Sequence, residues 1–253
     1  MKVLVITVAG TATRFNRDTE KDTLKCLYYK ESPRFSLLYQ ILDKARDIDK
    51  VIIVGGYLYN ELLAFTDSHL TEFSNQIELV YNPYYKEYGS GYSLIKGIEC
   101  IPNTASEVLF VEGDLFFDAN SFGAVKKASR DVVTVNREFI TAQKAVALSV
   151  DDRNHVCYVY DTKHDLLIIP SPIKAIYNSA QVWKFMSLHK LKEVIEGLTM
   201  KQLQGTNLEI IQKYFDDFTC EHLDIVSLEN WFNCNTVADY NNVCSLINNE
   251  RYK

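Results

Sequence analysis

From its second residue to about residue 135, the chain alternates short β-branched and leucine-rich runs with segments of helical period. Lys2 to Val8 is an uninterrupted apolar run, as expected of a strand buried on both faces of a parallel sheet. Phe35 to Ile48 then places Leu37, Leu38, Ile41, Leu42 and Ala45 at helical spacing. Val51 to Val54 is a second short strand, ended by Gly55-Gly56, and Leu58 to Phe65 is helical. Strands at Ile77 to Tyr81, Val108 to Val111 and Val132 to Val135 continue the rhythm, with a helix at Tyr92 to Glu99. Such alternation predicts a doubly wound α/β sheet with right-handed crossovers and a ligand site at the carboxyl ends of its strands.

After residue 140 the spacing changes. Ala145 to Val150, His155 to Tyr160 and Leu166 to Ile169 read as a small antiparallel β extension. Val182 to Ile195 and Leu208 to Phe215 read as helices, Leu223 to Val226 as a strand and Thr236 to Ile247 as a closing helix. There is no repeat, low-complexity stretch or linker. The expectation is one domain over residues 1–253, in two halves at 1–136 and 137–253, the second the more elaborated.

Composition narrows the function. With 27 Lys plus Arg against 33 Asp plus Glu, the net charge is -6, which argues against sequence-independent nucleic-acid binding. An anionic ligand must be held locally or by a metal. At 47% apolar content the chain can bury a sizeable core. Six cysteines without a CxxC pair suit buried thiols in a cytoplasmic protein better than a disulfide scaffold or zinc site. No apolar run reaches membrane length, so no membrane partner is expected. With only ten glycines in the chain, each glycine cluster calls for a reason.

Four constellations carry chemistry. Ala9-Gly10-Thr11-Ala12-Thr13-Arg14 follows the first strand and precedes Lys25. A turn of small residues there can offer backbone N–H groups to phosphate, with Arg14 as a planar fork and Lys25 as a movable point charge. Asn82-Pro83 leads through Tyr85, Tyr88, Gly89 and Gly91 to Ser93 at a helix start. Absent side chains at the glycines would let backbone approach a base or phosphate. Glu112-Gly113-Asp114 ends the fourth strand, where a carboxylate can share a Mg²⁺ ion with substrate phosphates. Asn233-Cys234-Asn235-Thr236 precedes a helix with Asp239 in its first turn, a capping signal that also presents Asn235 as a metal ligand. Each has a purely structural explanation, as an exit loop, a glycine turn, a turn cap and a helix cap.

Taken in order, these segments resemble the nucleotidyltransferases with a Rossmann-like, MobA-type domain. That family opens with a strand and A-G-x-G-x-R, as in Ala9-Gly10-Thr11-Ala12-Thr13-Arg14, and later has P-K, here Leu24-Lys25. It continues with N-P and G-x-x-x-S-L (Asn82-Pro83, Gly89, Ser93-Leu94), then G-D (Gly113-Asp114) and N-x-N-T-x-x-D (Asn233 to Asp239). The resemblance implies a Rossmann-like, mostly parallel twisted sheet flanked by helices, with Mg²⁺ as cofactor. It also implies transfer of a nucleoside monophosphate from a nucleoside triphosphate to a small phosphorylated acceptor. Arg14 and Lys25 would be catalytic. Ala9, Gly10, Thr11, Ala12, Asn82, Gly89 and Ser93 would bind the nucleotide, and Asp114 and Asn235 the metal. Tyr177, Asn178, Trp231 and Asn233 are candidates for the acceptor. The tyrosines before Ser93 look most like those of bacterial phosphocholine cytidylyltransferases, which favours CTP. Asn233 stands where those enzymes carry an acid, which favours a phosphorylated or phosphonate acceptor other than choline. Ala12 and Leu24 depart from the family's glycine and proline. A glycosyltransferase and a non-catalytic nucleotide binder stay open as alternatives, as does a homodimer.

Overall fold

A computed structural model describes residues 1–141, 146–163 and 165–251, from 249 onward by backbone alone. Strands β1 (Lys2–Thr7), β2 (Lys50–Gly55) and β3 (Ile77–Tyr81) alternate with helices α1 (Leu37–Lys44) and α2 (Tyr59–His69). Helix α3 (Ser90–Glu99) leads to β4 (Glu107–Glu112), β5 (Leu115–Phe117), α4 (Ala119–Lys127) and β6 (Asp131–Asn136). The second half has β7 (Val146–Asp151), β8 (Val156–Tyr160), the long β9 (Ile173–Phe185), α5 (Leu188–Glu196), the one-turn α6 (Met200–Leu203) and α7 (Asn207–Phe215). The chain closes with β10 (Leu223–Ser227), β11 (Trp231–Asn233) and α8 (Val237–Arg251).

The main sheet has the order β10-β6-β9-β4-β1-β2-β3, and β7 and β8 branch from β9. Its β4-β1-β2-β3 side is parallel throughout. β9 runs antiparallel between β4 and β6, and β7 and β8 add antiparallel pairs. The fold is therefore Rossmann-like: a mostly parallel sheet flanked by helices, with a small antiparallel extension. β5 and β11 form a separate antiparallel ribbon.

Alternation along β1 builds the two faces. Leu4 and Ile6 pack with α1, α2 and α4, while Val3 and Val5 pack with α3, α5 and α7. All four are wholly buried, each contributing about 1.5–3 kcal/mol of burial. Ser36 and Asp118 cap the N-termini of α1 and α4 through their side chains. The register sets Thr7 beside Val54 and beside Glu112, so three parallel strands end at one level.

Two expectations are corrected here. The segment expected as a helix from Val182 to Ile195 is a strand through Phe185 and turns helical only at Leu188. Its first residues are buried in the sheet on both faces, Lys184 among them, so the stretch has no alternation to distinguish it from a helix. Leu166 to Ile169 is not a strand. Leu166, Ile168 and Ile169 are exposed and outside the ladder. Of the strand expected from Ala145, the first residue lies outside the described residues, and β7 is seen from Val146.

Candidate functional site

At the level where β1, β2 and β4 end, a cleft of about 230 Å³ opens, lined by Gly10, Ala12, Lys25, Tyr85, Tyr88 and Asp114 among others. The loop after β1 forms one wall. Asn16 holds it: its backbone N–H donates to Ala12 O, its side-chain amide to Thr11 O, and its Oδ1 accepts from Thr23 N. Among the described residues, the N–H groups of Gly10, Thr11, Ala12 and Thr13 donate to no other group. Ala12 lies in the left-handed region, φ 50°. A left-handed residue within a run of free N–H groups is the geometry of an anion-binding nest.

Lys25 and Asp114 face each other in this cleft, Nζ to Oδ2 at 2.5 Å. Asp114 Oδ1 is buried with no hydrogen-bond partner. A buried carboxylate oxygen left unpaired is costly unless a ligand or cation completes it. Asp114 is placed there by Gly113, whose N–H donates to Thr7 O at 3.0 Å and where a Cβ would stand 2.3 Å from Val8 Cγ1. Glycine is required at 113 by this close approach of β1 and β4.

The β5–β11 ribbon brings the C-terminal motif to the same place. Leu115 pairs with Asn233, and Cys234 N–H donates to Asp114 O at 2.9 Å. Asn235 then lies in an adjoining recess lined by Thr13, Arg14, Phe15 and Lys25. Arg14 Nη2 donates to Asn235 Oδ1 at 2.9 Å, and Asn235 Nδ2 donates to Asn233 Oδ1 at 3.0 Å. Asp239 Oδ2 accepts from the backbone N–H groups of Asn235 and Thr236, and Asp239 N–H donates to the Thr236 hydroxyl. Thr236 and Asp239 are thus a helix cap that holds Asn235 in position.

On the opposite wall, Asn82 is wholly buried; its amide donates to Ser93 Oγ and its Oδ1 accepts from Tyr84 N–H. Asn82 fixes the loop that carries Tyr85, Tyr88, Gly89 and Ser93 to the cleft. Gly89 N–H donates to Gln204 O, and a Cβ there would stand 2.2 Å from Gly205 O. Gly91 meets Thr206 O in the same way, at 2.7 Å. The need for glycine at both positions comes from this neighbouring backbone rather than from a ligand.

The acceptor candidates are dispersed. Trp231 is buried in the core, its indole N–H donating to Ala180 O at 2.6 Å. Tyr177 and Asn178 lie on β9 opposite Leu148 and Ala147 of β7. None of these three lines the cleft. The cleft instead holds residues that the sequence motifs leave unassigned. Glu112 is one. Burial and then the charge of Asp114 raise its pKa to about 7, while Asn207 and Lys25 pull it down. Cys26 is another. Its burial pushes the thiol up to about 12, so it stays neutral and is not a nucleophile at pH 7. The signal for Glu112 was its position two residues before Asp114. Nothing in the sequence links it to Asn207.

Solved structures share this architecture. A protein assigned as a glucose-1-phosphate thymidylyltransferase from Bacillus anthracis superposes with a TM-score of 0.71 at 15% identity, over 97% of this chain and 95% of that one. The inositol-1-phosphate CTP transferase from T. maritima gives 0.67 at 14%, over 96% and 95%. The CTP:phosphocholine cytidylyltransferase from Streptococcus pneumoniae gives 0.65 at 19%, over 97% and 99%. The fold is the one these nucleotidyltransferases share. No curated protein matches the chain by sequence. The chain belongs to the family described as Domain of unknown function (DUF6564), whose model matches residues 21–247. That match begins beyond the Gly10–Arg14 loop. Among the described residues, no helix is long and apolar enough to cross a membrane.

Proposed function

We propose that this chain is a Mg²⁺-dependent nucleotidyltransferase, with CTP the favoured donor and a small phosphorylated or phosphonate compound the acceptor. One observation carries the reading: a half-buried carboxylate at Asp114, one oxygen paired to a lysine and the other buried without a partner, faces a loop of unused backbone N–H groups in one cleft. The shared fold of the solved nucleotidyltransferases supports it. Ala12 supports it too, because it adopts the left-handed conformation that a glycine would take there. The substitution therefore leaves the phosphate loop its shape.

The donor set suits a hard cation. Among the described residues no three His, Cys, Asp or Glu side chains cluster as a protein-only cage. Mg²⁺ needs only one or two carboxylates, with phosphate and water oxygens completing its shell. Asp114 would hold it through Oδ1, and Asn235 would add a side-chain oxygen now accepting from Arg14. When bound, the ion would neutralise phosphate charge and help align the two substrates.

The protein's own residues do the rest by positioning and charge. The N–H groups of Gly10 to Thr13 hold the triphosphate. Lys25 is a movable cation that can pass from Asp114 to the α-phosphate. An acceptor phosphate oxygen attacks the α-phosphorus, the bond to the bridging oxygen breaks, and pyrophosphate leaves with the electron pair. Arg14 neutralises the leaving group. Asn82, Gly89 and Ser93 shape the nucleoside side. Asn233, bonded to Asn235, is the acceptor candidate next to the chemistry, and Tyr177, Asn178 and Trp231 lie outside the cleft lining. The two halves, 1–136 and 137–253, act as one catalytic domain.

Asp114→Ala is expected to abolish pyrophosphate release while circular dichroism and the melting profile stay those of a folded protein. Unchanged turnover in that variant would refute the proposal.

A further inference from the structure

Glu112 ends β4 and lines the cleft two residues before Asp114. Its Oε1 accepts from Asn207 Nδ2 at 2.5 Å. Asn207 is itself buried, at the start of α7, and its backbone N–H donates to Ser90 Oγ at 3.2 Å. Ser90 also lines the cleft. An amide from the second half of the chain therefore sets a carboxylate at the α3 side of the site. That is the side of Gly89 and Ser93, apart from the recess of Arg14 and Asn235.

Glu112 accepts no other hydrogen bond among the described residues. Asp118 shows what a structural acid looks like in this fold: it accepts from Ser121 N–H, Ser121 Oγ and Asn230 N–H. Glu112 is half-buried instead, with one oxygen held by Asn207 and the other left open to the cleft as an acceptor. Phosphate, itself anionic, cannot complete the ionised form. A neutral hydrogen-bond donor can.

We propose that Glu112, oriented by Asn207, reads the nucleoside by accepting a hydrogen bond from a base amino group or a ribose hydroxyl. The inference rests on the nucleotide reading of the cleft. In this scheme Glu112 is the specificity residue and Asn207 a positioning residue that acts through it.

The test is calorimetric binding to the full chain with Mg²⁺ and no acceptor. The tightest of ATP, CTP, GTP and UTP is compared with its 2′-deoxy and 3′-deoxy forms. CTP is also paired with UTP, and ATP and GTP with ITP, as twins lacking the amino group. Wild type should prefer the donor-bearing member of one pair by tenfold or more, the scale of a hydrogen bond to a charged group. Glu112→Gln should erase most of that ratio, and Asn207→Ala should lower the same ratio by less. Loss in the CTP–UTP or ITP pair assigns the amino group, and loss in a deoxy pair the hydroxyl. Wild-type ratios retained in Glu112→Gln would overturn the proposal, as would a wild type that binds every pair equally. Unaltered ratios with a weakened Mg²⁺ requirement would also overturn it, making Glu112 a metal-binding carboxylate. A wild type that binds no nucleoside triphosphate would remove the nucleotide site itself, and this inference with it.

Discussion

Two positions fix the local shape of the site, and they call for opposite substitutions. Ala12 carries a Cβ at φ 50°, a conformation costing an L-residue about 1–2 kcal/mol. Part of any relief by glycine is offset by its greater freedom in the unfolded chain, about 0.4–1 kcal/mol. Ala12→Gly should therefore stabilise the protein by about 1 kcal/mol, read as a higher melting temperature. Gly113 is the reverse case. With Val8 Cγ1 at 2.3 Å and Thr7 O at 3.1 Å from an added Cβ, Gly113→Ala must push β1 and β4 apart. A loss of about 1–3 kcal/mol in denaturant titration is expected. At this scale the sequence was informative where a residue's chemistry is rare. Lys25, Asp114 and Arg14 stand out by charge next to a strand end. The reason for Gly89 and Gly91 was not legible, because the atoms that exclude a side chain belong to Gly205 and Thr206, more than a hundred residues away.

Elements deliver these residues in pairs. The β5–β11 ribbon carries Asn235 to Asp114, and its approach is anchored by Asp118. Asp118 caps α4 and also accepts from Asn230 N–H, one residue before β11. Its burial would raise the carboxyl pKa, but the Ser121 hydroxyl and the N–H groups of Ser121, Asn230 and Asn120 outweigh that and hold it below the usual range. An acid depressed in the folded state contributes stability above its unfolded pKa and loses it as pH falls through the folded value. Asp118→Ala should therefore cost about 2–3 kcal/mol at pH 7. That difference should hold down to about pH 5 and shrink only below about pH 4, measured by urea unfolding across pH. The strands β1 to β4 were legible because each is a short apolar run closed by glycine or a polar turn. β9 was not. Its buried stretch Ser179 to Phe185 includes Gln181 at φ 55° and pairs with both β4 and β6. A strand buried on both faces and interrupted by a left-handed residue shows neither a two-residue nor a clean helical period. The Thr236–Asp239 cap was legible, since capping uses neighbours in sequence.

Across the whole molecule, the two halves of the sequence meet at the sheet and at the cleft. β9 enters the sheet beside β4, and Asn207, Asn235 and the 204–206 backbone all reach residues of the first half. Among the described residues lining the cleft and its recess, Arg14, Lys25 and free backbone N–H groups offset the net charge of -6. Binding of an anionic nucleotide must then depend on a few local contacts and on a divalent cation. The proposed division of labour between halves rests on the motifs that crowd the first 136 residues. The acceptor side has no such cluster, because Tyr177, Asn178 and Trp231 lie outside the cleft lining. The most direct measurement is a pyrophosphate-release screen of the intact chain with Mg²⁺. It sets the four nucleoside triphosphates against phosphocholine, aminoalkylphosphonates, sugar 1-phosphates and phosphorylated amino acids. The account predicts release that requires both a nucleotide, with CTP the best, and one class of acceptor, and that disappears with chelator. No acceptor-dependent release from any pair, or release of a nucleoside diphosphate from a nucleotide-sugar instead, would contradict it.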